Sequence, residues 1–304
     1  KQNVTDLSGK RLFQAPSVSS ETYCYSPEEA AFYEMLTDFI TTGKAYASSL
    51  SASDARLVTL VLIAMQKLAS SSVAAIRRAL DGRLNRLSEK REKLANLQSE
   101  LARLRSKAVD YEELDFGDPS DEISEMEETI APLFSAVSLM EGEEDRLQEL
   151  VRSATEVIAE TKVNRILDVI DTRFAGEPVL LFTEYKATQS LLMSALLHRY
   201  GSGSVTFING DEKADDVIDA EGHTQTLRVN RQTASDRFNS GDVRFLISTE
   251  AGGEGIDLQE RCANLIHVDL PWNPMRLHQR VGRLNRYGQK KQVQVVTLRN
   301  PETV

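Results

Sequence analysis

Cysteine is nearly missing from this chain: Cys24 and Cys262 are the only two in 304 residues. Two thiols cannot build a disulfide framework, and neither stands in a metal-ligand cluster, so a reducing, cytoplasmic setting is expected. No run of about 18 apolar residues occurs, which removes the usual membrane-spanning helix and with it any expected membrane partner. Residues 1–30 lack the basic-then-apolar pattern of a secretory signal. A phosphate-cradling Gly-x-x-x-x-Gly-Lys-Ser/Thr is also missing, as is Asp-Glu-x-His. Gly9-Lys10-Arg11 and Gly43-Lys44-Ala45 lack both the earlier glycine and the hydroxyl residue. Positive charge is short as well. The formal net charge of -10 excludes a small basic domain that coats nucleic acid, while leaving room for one local basic groove.

What is present suffices for a folded core: 41% of residues are hydrophobic and 27% charged. The length allows one or two domains. Residues 301–304 carry no terminal signature, and the chain is expected to be a piece of a longer protein. Residues 1–26 are polar and read as an extended lead-in. Ser26-Pro27-Glu28-Glu29 then starts a helix, with a serine cap, proline in the first turn and acids at the positive end of the dipole. Apolar spacing continues that helix through Ile40 and predicts another from about Asp54 to Ala69.

From residue 73 the texture is that of a coiled coil. Leu80, Leu87, Leu94, Leu101 and Ala108 recur every seventh residue, joined by Leu97, Leu104 and Tyr111. Residues 115–121 are turn chemistry. A second seam follows through Ile123, Ile130, Val137, Val151 and Ile158, with Pro132 as its weak point. The spacing predicts an antiparallel helical hairpin across 73–170, its insert proper being 73–160. The first reading of such a charged pair is a solvated spacer; the second is an arm that docks a protein partner.

Beyond residue 176, short β-branched runs at 179–182, 205–208, 243–248, 265–268 and 293–298 alternate with helical stretches near 187–200, 231–239 and 274–286. Strands buried on both faces and separated by helices predict a parallel α/β sheet. Residues 211–230 read as a polar, acidic loop in which His223 is a surface residue.

Two segments carry chemistry. In 279–289, Gln279-Arg280-Val281-Gly282-Arg283-Leu284-Asn285-Arg286-Tyr287-Gly288-Gln289, a helix would place Arg283 and Arg286 on one face. Paired guanidiniums can stabilise charge on a transferring phosphoryl group, although a solvated basic helix end has the same spacing. In 248–258, Ser-Thr-Glu-Ala-Gly-Gly-Glu-Gly-Ile-Asp-Leu, glycines follow a buried strand and let backbone approach a ligand. Glu254 and Asp257 there offer carboxylates to a ribose, a water or a neighbouring arginine.

The order of these segments, with Asp269-x-x-Trp272-Asn273-Pro274 between them and Leu181-Phe182-Thr183-Glu184-Tyr185 and Ile208-Asn209-Gly210 before them, resembles the C-terminal lobe of superfamily-two helicases, the Swi/Snf branch in particular. The resemblance is dense over 162–300; residues 73–160 match none of its motifs. It implies a RecA-like parallel sheet flanked by helices, with a lead-in and first helices over 1–72, the helical-hairpin insertion over 73–160 and the lobe proper over 161–304. It implies ATP and Mg²⁺ held mainly by a first RecA-like lobe of the same protein. Arg283 and Arg286 would be the arginine fingers, and Gly255, Asp257, Glu254 and Gln279 would line the same cleft. Thr183, Asn209, Gly210, Thr249 and Trp272 would meet double-stranded DNA, mostly at phosphates. A lobe of an RNA helicase and a non-catalytic interaction module are the alternatives.

Overall fold

The computed structural model describes residues 14–112, 142–249, 256–271 and 273–301. Contacts divide the chain into two units, one of Lys1–Ala31, Lys67–Ile76 and Glu156–Val304, the other of Phe32–Gln66 and Arg77–Thr155. The boundaries of that division fall inside four helices. Among the described residues no helix is long and apolar enough to cross a membrane.

The first unit is built on six strands, β1 (Ser17–Thr22), β2 (Val179–Phe182), β3 (Val205–Ile208), β6 (Phe245–Ser248), β7 (Asn264–His267) and β8 (Gln294–Arg299). Their order is β1-β8-β7-β2-β6-β3 and every pairing is parallel. The four four-residue strands, β2, β3, β6 and β7, are buried at each position, as a sheet covered on both faces requires. Side chains alternate between the two faces. Val179, Leu181, Phe245, Ile247 and Ile266 enter one core with α5 (Thr161–Arg173) and α6 (Lys186–Tyr200). Leu180, Phe182, Leu246 and Leu265 enter the other with Phe238 of α7 (Arg231–Ser240).

Part of the polar lead-in is a strand: β1 pairs with β8 from Ser17↔Gln294 to Thr22↔Arg299. Its Glu21 is held by Arg165 at 2.6 Å and Arg173 at 2.8 Å, and the Arg165 hydrogen bond leads in drawing its carboxyl below the usual range. Residues 211–230 are not a loop. They form an antiparallel hairpin, β4 (Lys213–Ile218) with β5 (Thr224–Arg228), irregular between Ala214 and Val217 where Asp216 has φ 58°. Ala214 and Val217 anchor it in the core, which the acidic composition concealed. His223 is on its exposed tip, 3.6 Å from Asp219.

The second unit is helical. It takes most of α1 (Pro27–Ala47), α2 (Ala52–Ser71), α3 (Val73–Glu112) and α4 (Glu143–Glu156). Phe32, Leu36, Phe39 and Ile40 are buried at helical spacing, as are Val58, Leu62 and Met65. Leu80 and Leu87 of the heptad seam are buried; its later side chains lie outside those described, as do the turn at 115–121 and the second seam through Met140. Arg83 pairs with the buried Glu143. The second arm departs from the predicted continuous helix. α4 stops at Glu156, Ile158 is 97% exposed, and Leu147, Leu150 and Ala154 supply the buried face.

Candidate active site

The carboxyl ends of β6, β2 and β7 lie side by side, with Phe182 in register with both Ser248 and His267. Ligand sites of open parallel sheets form at this edge. Asp269, two residues past β7, organises it. Its Oδ2 accepts from Thr183 Oγ1 at 2.6 Å, from Ser71 Oγ at 2.8 Å and from Glu184 N at 3.0 Å. Arg280 is 3% exposed; it donates from Nη1 to the Asp269 carbonyl at 2.8 Å, and its Nη2 is 3.6 Å from the carboxylate. His267 beside them is pushed down to about 4 by burial first and by the Arg280 cation second, against the pull of Asp269.

Arg280 belongs to α8 (Pro274–Gly282), whose start is chemically explicit: Asn273 Oδ1 accepts from Met275 N at 3.0 Å and proline fills the first turn. The helix predicted to reach 286 ends at Gly282. Arg283 through Gly288 form a turn closed by Arg283 N to Arg280 O and Gln289 N to Arg286 O, with Gly288 at φ 94°. Buried Leu284 pins this turn to the core, so a continuing helix would have to pull it out. The arginines are therefore neighbours on a turn and not one helical face.

That turn is fastened to the segment after β6. Arg286 Nη1 forms an ion pair with Asp257 Oδ1, both partly exposed. Gln259 Nε2 donates to the Tyr287 carbonyl at 3.3 Å, and Gln289 Nε2 to the Cys262 carbonyl at 2.8 Å. Asn239 Nδ2 in turn holds the Asp257 carbonyl at 3.0 Å. Of the three partners open to the Asp257 carboxylate, the structure supplies the arginine. Arg283 is half-buried and Gln279 exposed. Glu254, Gly255 and Trp272 lie outside the described residues.

The remaining predicted residues sit at the same edge but differ in what their side chains do. Thr183 is fully buried, with its hydroxyl on Asp269 and its N–H on the Ser248 carbonyl at 3.2 Å. A hydroxyl expected to meet DNA is thus occupied within the lobe. Asn209 is also buried: its amide donates to Gln189 Oε1 at 2.8 Å and to the Lys213 carbonyl at 2.9 Å. Thr249 is buried with its N–H on the Ile208 carbonyl at 2.9 Å, and Gly210 is exposed.

Asp269, Arg280 and Ser71 were assigned no role from sequence. A signal existed for Arg280, which falls in the stripe Leu277, Val281, Leu284 where a core residue belongs. Ser71 gave none, being separated from Asp269 by 198 residues.

The first unit is thus a parallel α/β lobe with an arginine turn clasped at the carboxyl edge of its six-stranded sheet. Residues 161–288 match the helicase conserved C-terminal domain. The chain is 36% identical over 162 residues to the uncharacterized ATP-dependent helicase YqhH of Bacillus subtilis, covering 53% of this chain and 26% of that protein. It is 31% identical over 139 residues to the RNA polymerase-associated protein RapA of Vibrio cholerae, covering 45% and 12%. It is 32% identical over 160 residues to human chromodomain-helicase-DNA-binding protein 1, covering 52% and 8%. The chain thus spans about a quarter of the length of the first relative and far less of the other two.

Proposed function

We propose that this chain is the second motor lobe of an ATP-dependent translocase that moves on double-stranded DNA. Its part in the reaction is to present Arg283 and Arg286 to ATP held by a first lobe. The observation that supports this reading best is the Arg286–Asp257 pair, which joins the arginine turn to the glycine-rich segment at the sheet's carboxyl edge. A guanidinium has five N–H donors in a fixed fork, so Arg286 can keep Asp257 on one side and offer phosphate oxygens the other. Asp257 fixes where the arginine stands before the reaction begins, which is what electrostatic stabilisation of a transition state needs.

The donor set fits a phosphate partner better than a metal. Among the described residues no group of three His, Cys, Asp or Glu could hold an ion. Mg²⁺ is accordingly assigned to the first lobe, where it neutralises charge on the phosphates when bound. Glu254, Gly255 and Gln279 are proposed to line the cleft beside Asp257. On the nucleic-acid side, Gly210, Thr249 and Trp272 are proposed to meet the backbone. Thr183 and Asn209 support the strand ends beneath them through the bonds described above. Phosphate contacts carry no sequence information, which suits a translocase.

The test is ATPase stimulation of the full-length protein by duplex DNA and by RNA at equal nucleotide concentration. Stimulation by duplex DNA is the expected result. Stimulation by RNA alone would make it a lobe of an RNA helicase, and stimulation by neither would favour an interaction module.

A further inference from the structure

The first unit contains a ten-residue visitor. Lys67–Ile76 returns from the helical unit, turns at Ser72 and leaves again through α3. Every polar group at that turn is matched. Lys162 donates from Nζ to the Ser70 carbonyl at 3.1 Å and the Ser71 carbonyl at 2.9 Å, closing the C-terminus of α2. Glu160 Oε1 accepts from Ala74 N at 2.9 Å, closing the N-terminus of α3. Ser71 and Ser72 each reach Thr188 Oγ1, at 2.8 and 2.7 Å. Ser71 also donates to Asp269 Oδ2, the carboxylate whose own residue holds Arg280 one helical turn before Arg283.

An apolar plug would anchor this turn at less cost. Burying an ammonium, a guanidinium and two carboxylates carries a desolvation penalty that well-packed apolar residues avoid. Directional bonds do what a plug does not: they fix the position of one carboxylate against three elements at once. We infer that Ser71, through Asp269 and Arg280, is a positioning residue for the arginine turn, so that the root of the helical unit sets where Arg283 and Arg286 stand. This inference rests on the reading of those arginines as cleft-facing. A misplacement of about 1 Å costs on the order of a hundredfold in rate, so a small shift of α8 is enough to be felt.

The experiment uses the full-length protein and measures kcat and KM for ATP, with thermal unfolding as a check on folding. Ser71→Ala removes one hydrogen bond to Asp269 and is expected to lower kcat roughly tenfold with KM unchanged. Ser71→Thr restores the hydroxyl and should recover kcat. Lys162→Met, which removes both carbonyl contacts of the turn together with a cation that interacts with Asp269, should reproduce the fall in kcat. Arg286→Ala serves as the reference. If it abolishes turnover while Ser71→Ala and Lys162→Met match the parent, the coupling is wrong and the arginine assignment stands. A rise in KM that Ser71→Thr leaves unrepaired would reduce Ser71 to a structural residue and overturn the inference. Normal turnover in Arg286→Ala would overturn both.

Discussion

The guanidinium of Arg280 lies over the ring of Phe182, 5.4 Å from its centroid. A strand residue and a helix residue are thereby locked together in the interior, with Asp269 completing the charge balance. Removing one member of a buried pair costs about 3–5 kcal/mol because the other charge stays behind. Arg280→Met should lower stability toward the small end of that range, since Thr183, Ser71 and Glu184 still serve the carboxylate. Arg280→Lys should lose less, keeping charge but not the fork. Urea midpoints at constant m-value distinguish the two.

Arg283→Ala and Arg286→Ala should each lower turnover by on the order of 10³-fold in the full-length protein, with nucleotide binding retained. Lysine should not restore either. Loss of Asp257 should be milder, because an exposed pair contributes only about 0–1 kcal/mol to stability; Asp257→Asn tests positioning and not folding. Steady-state turnover beside equilibrium nucleotide binding checks all three.

Two buried groups give the lobe opposing responses to acid. Glu160 is pushed up from 4.5 to about 6, by burial first, with Lys162 pulling down and Glu29 pushing up. Between those values the folded state holds more protons than the unfolded, so Glu160 contributes stability that is lost as pH rises, about 2 kcal/mol in all. His267 is pushed from 6.5 to about 4, so its contribution is present at neutral pH and lost as pH falls, about 3 kcal/mol. The histidine outweighs the glutamate. Glu160→Gln should therefore steepen the fall in stability from pH 6.5 to 4, and the difference from the parent isolates Glu160. Denaturant titrations across that range provide the measurement.

Deletions should separate the helical unit's outer part from its root. In the full-length protein, replacing residues 93–141 by a Gly/Ser linker removes no described buried side chain and should leave this lobe folded and the proposed duplex-DNA-stimulated ATPase near the parent value. Deleting 73–160 also removes Val73, Ala75 and Ile76, buried residues of the first unit, and should destabilise the lobe. Circular dichroism melting and ATPase of both variants decide this. A stable, active protein lacking 73–160 would show the root to be dispensable.

The central strands were legible because they are largely apolar and buried at every position, and the start of α1 because its cap is a short-range signal. Ser26 and Glu29 exchange backbone bonds at 3.2 and 2.8 Å, and three residues of sequence suffice to read that. An arginine was one of the partners the local sequence allowed Asp257, and Arg286 is the one it has. What sequence did not convey is long-range. The turn at 283–288 depends on Leu284 having a place in a core built elsewhere, and β4 depends on Val217 finding one. Thr183 looked surface-facing because its partner, Asp269, is remote in sequence.

The order of the strands bears on how the lobe is made. Among the described strands β1 is made before the others and its neighbour β8 after them, with Ser19 and Thr297 separated by 278 residues. Glu29 meets Thr161 across 132 residues. At roughly 5–20 residues per second of synthesis, Glu29 waits about 7–26 s for its partner. The helical unit completes its own Arg83–Glu143 pairing in that interval. Residues 32–66 and 77–155 of the helical unit are therefore synthesised before the strands that complete the sheet, and β1 stays without its partner until residues 294–299 have emerged.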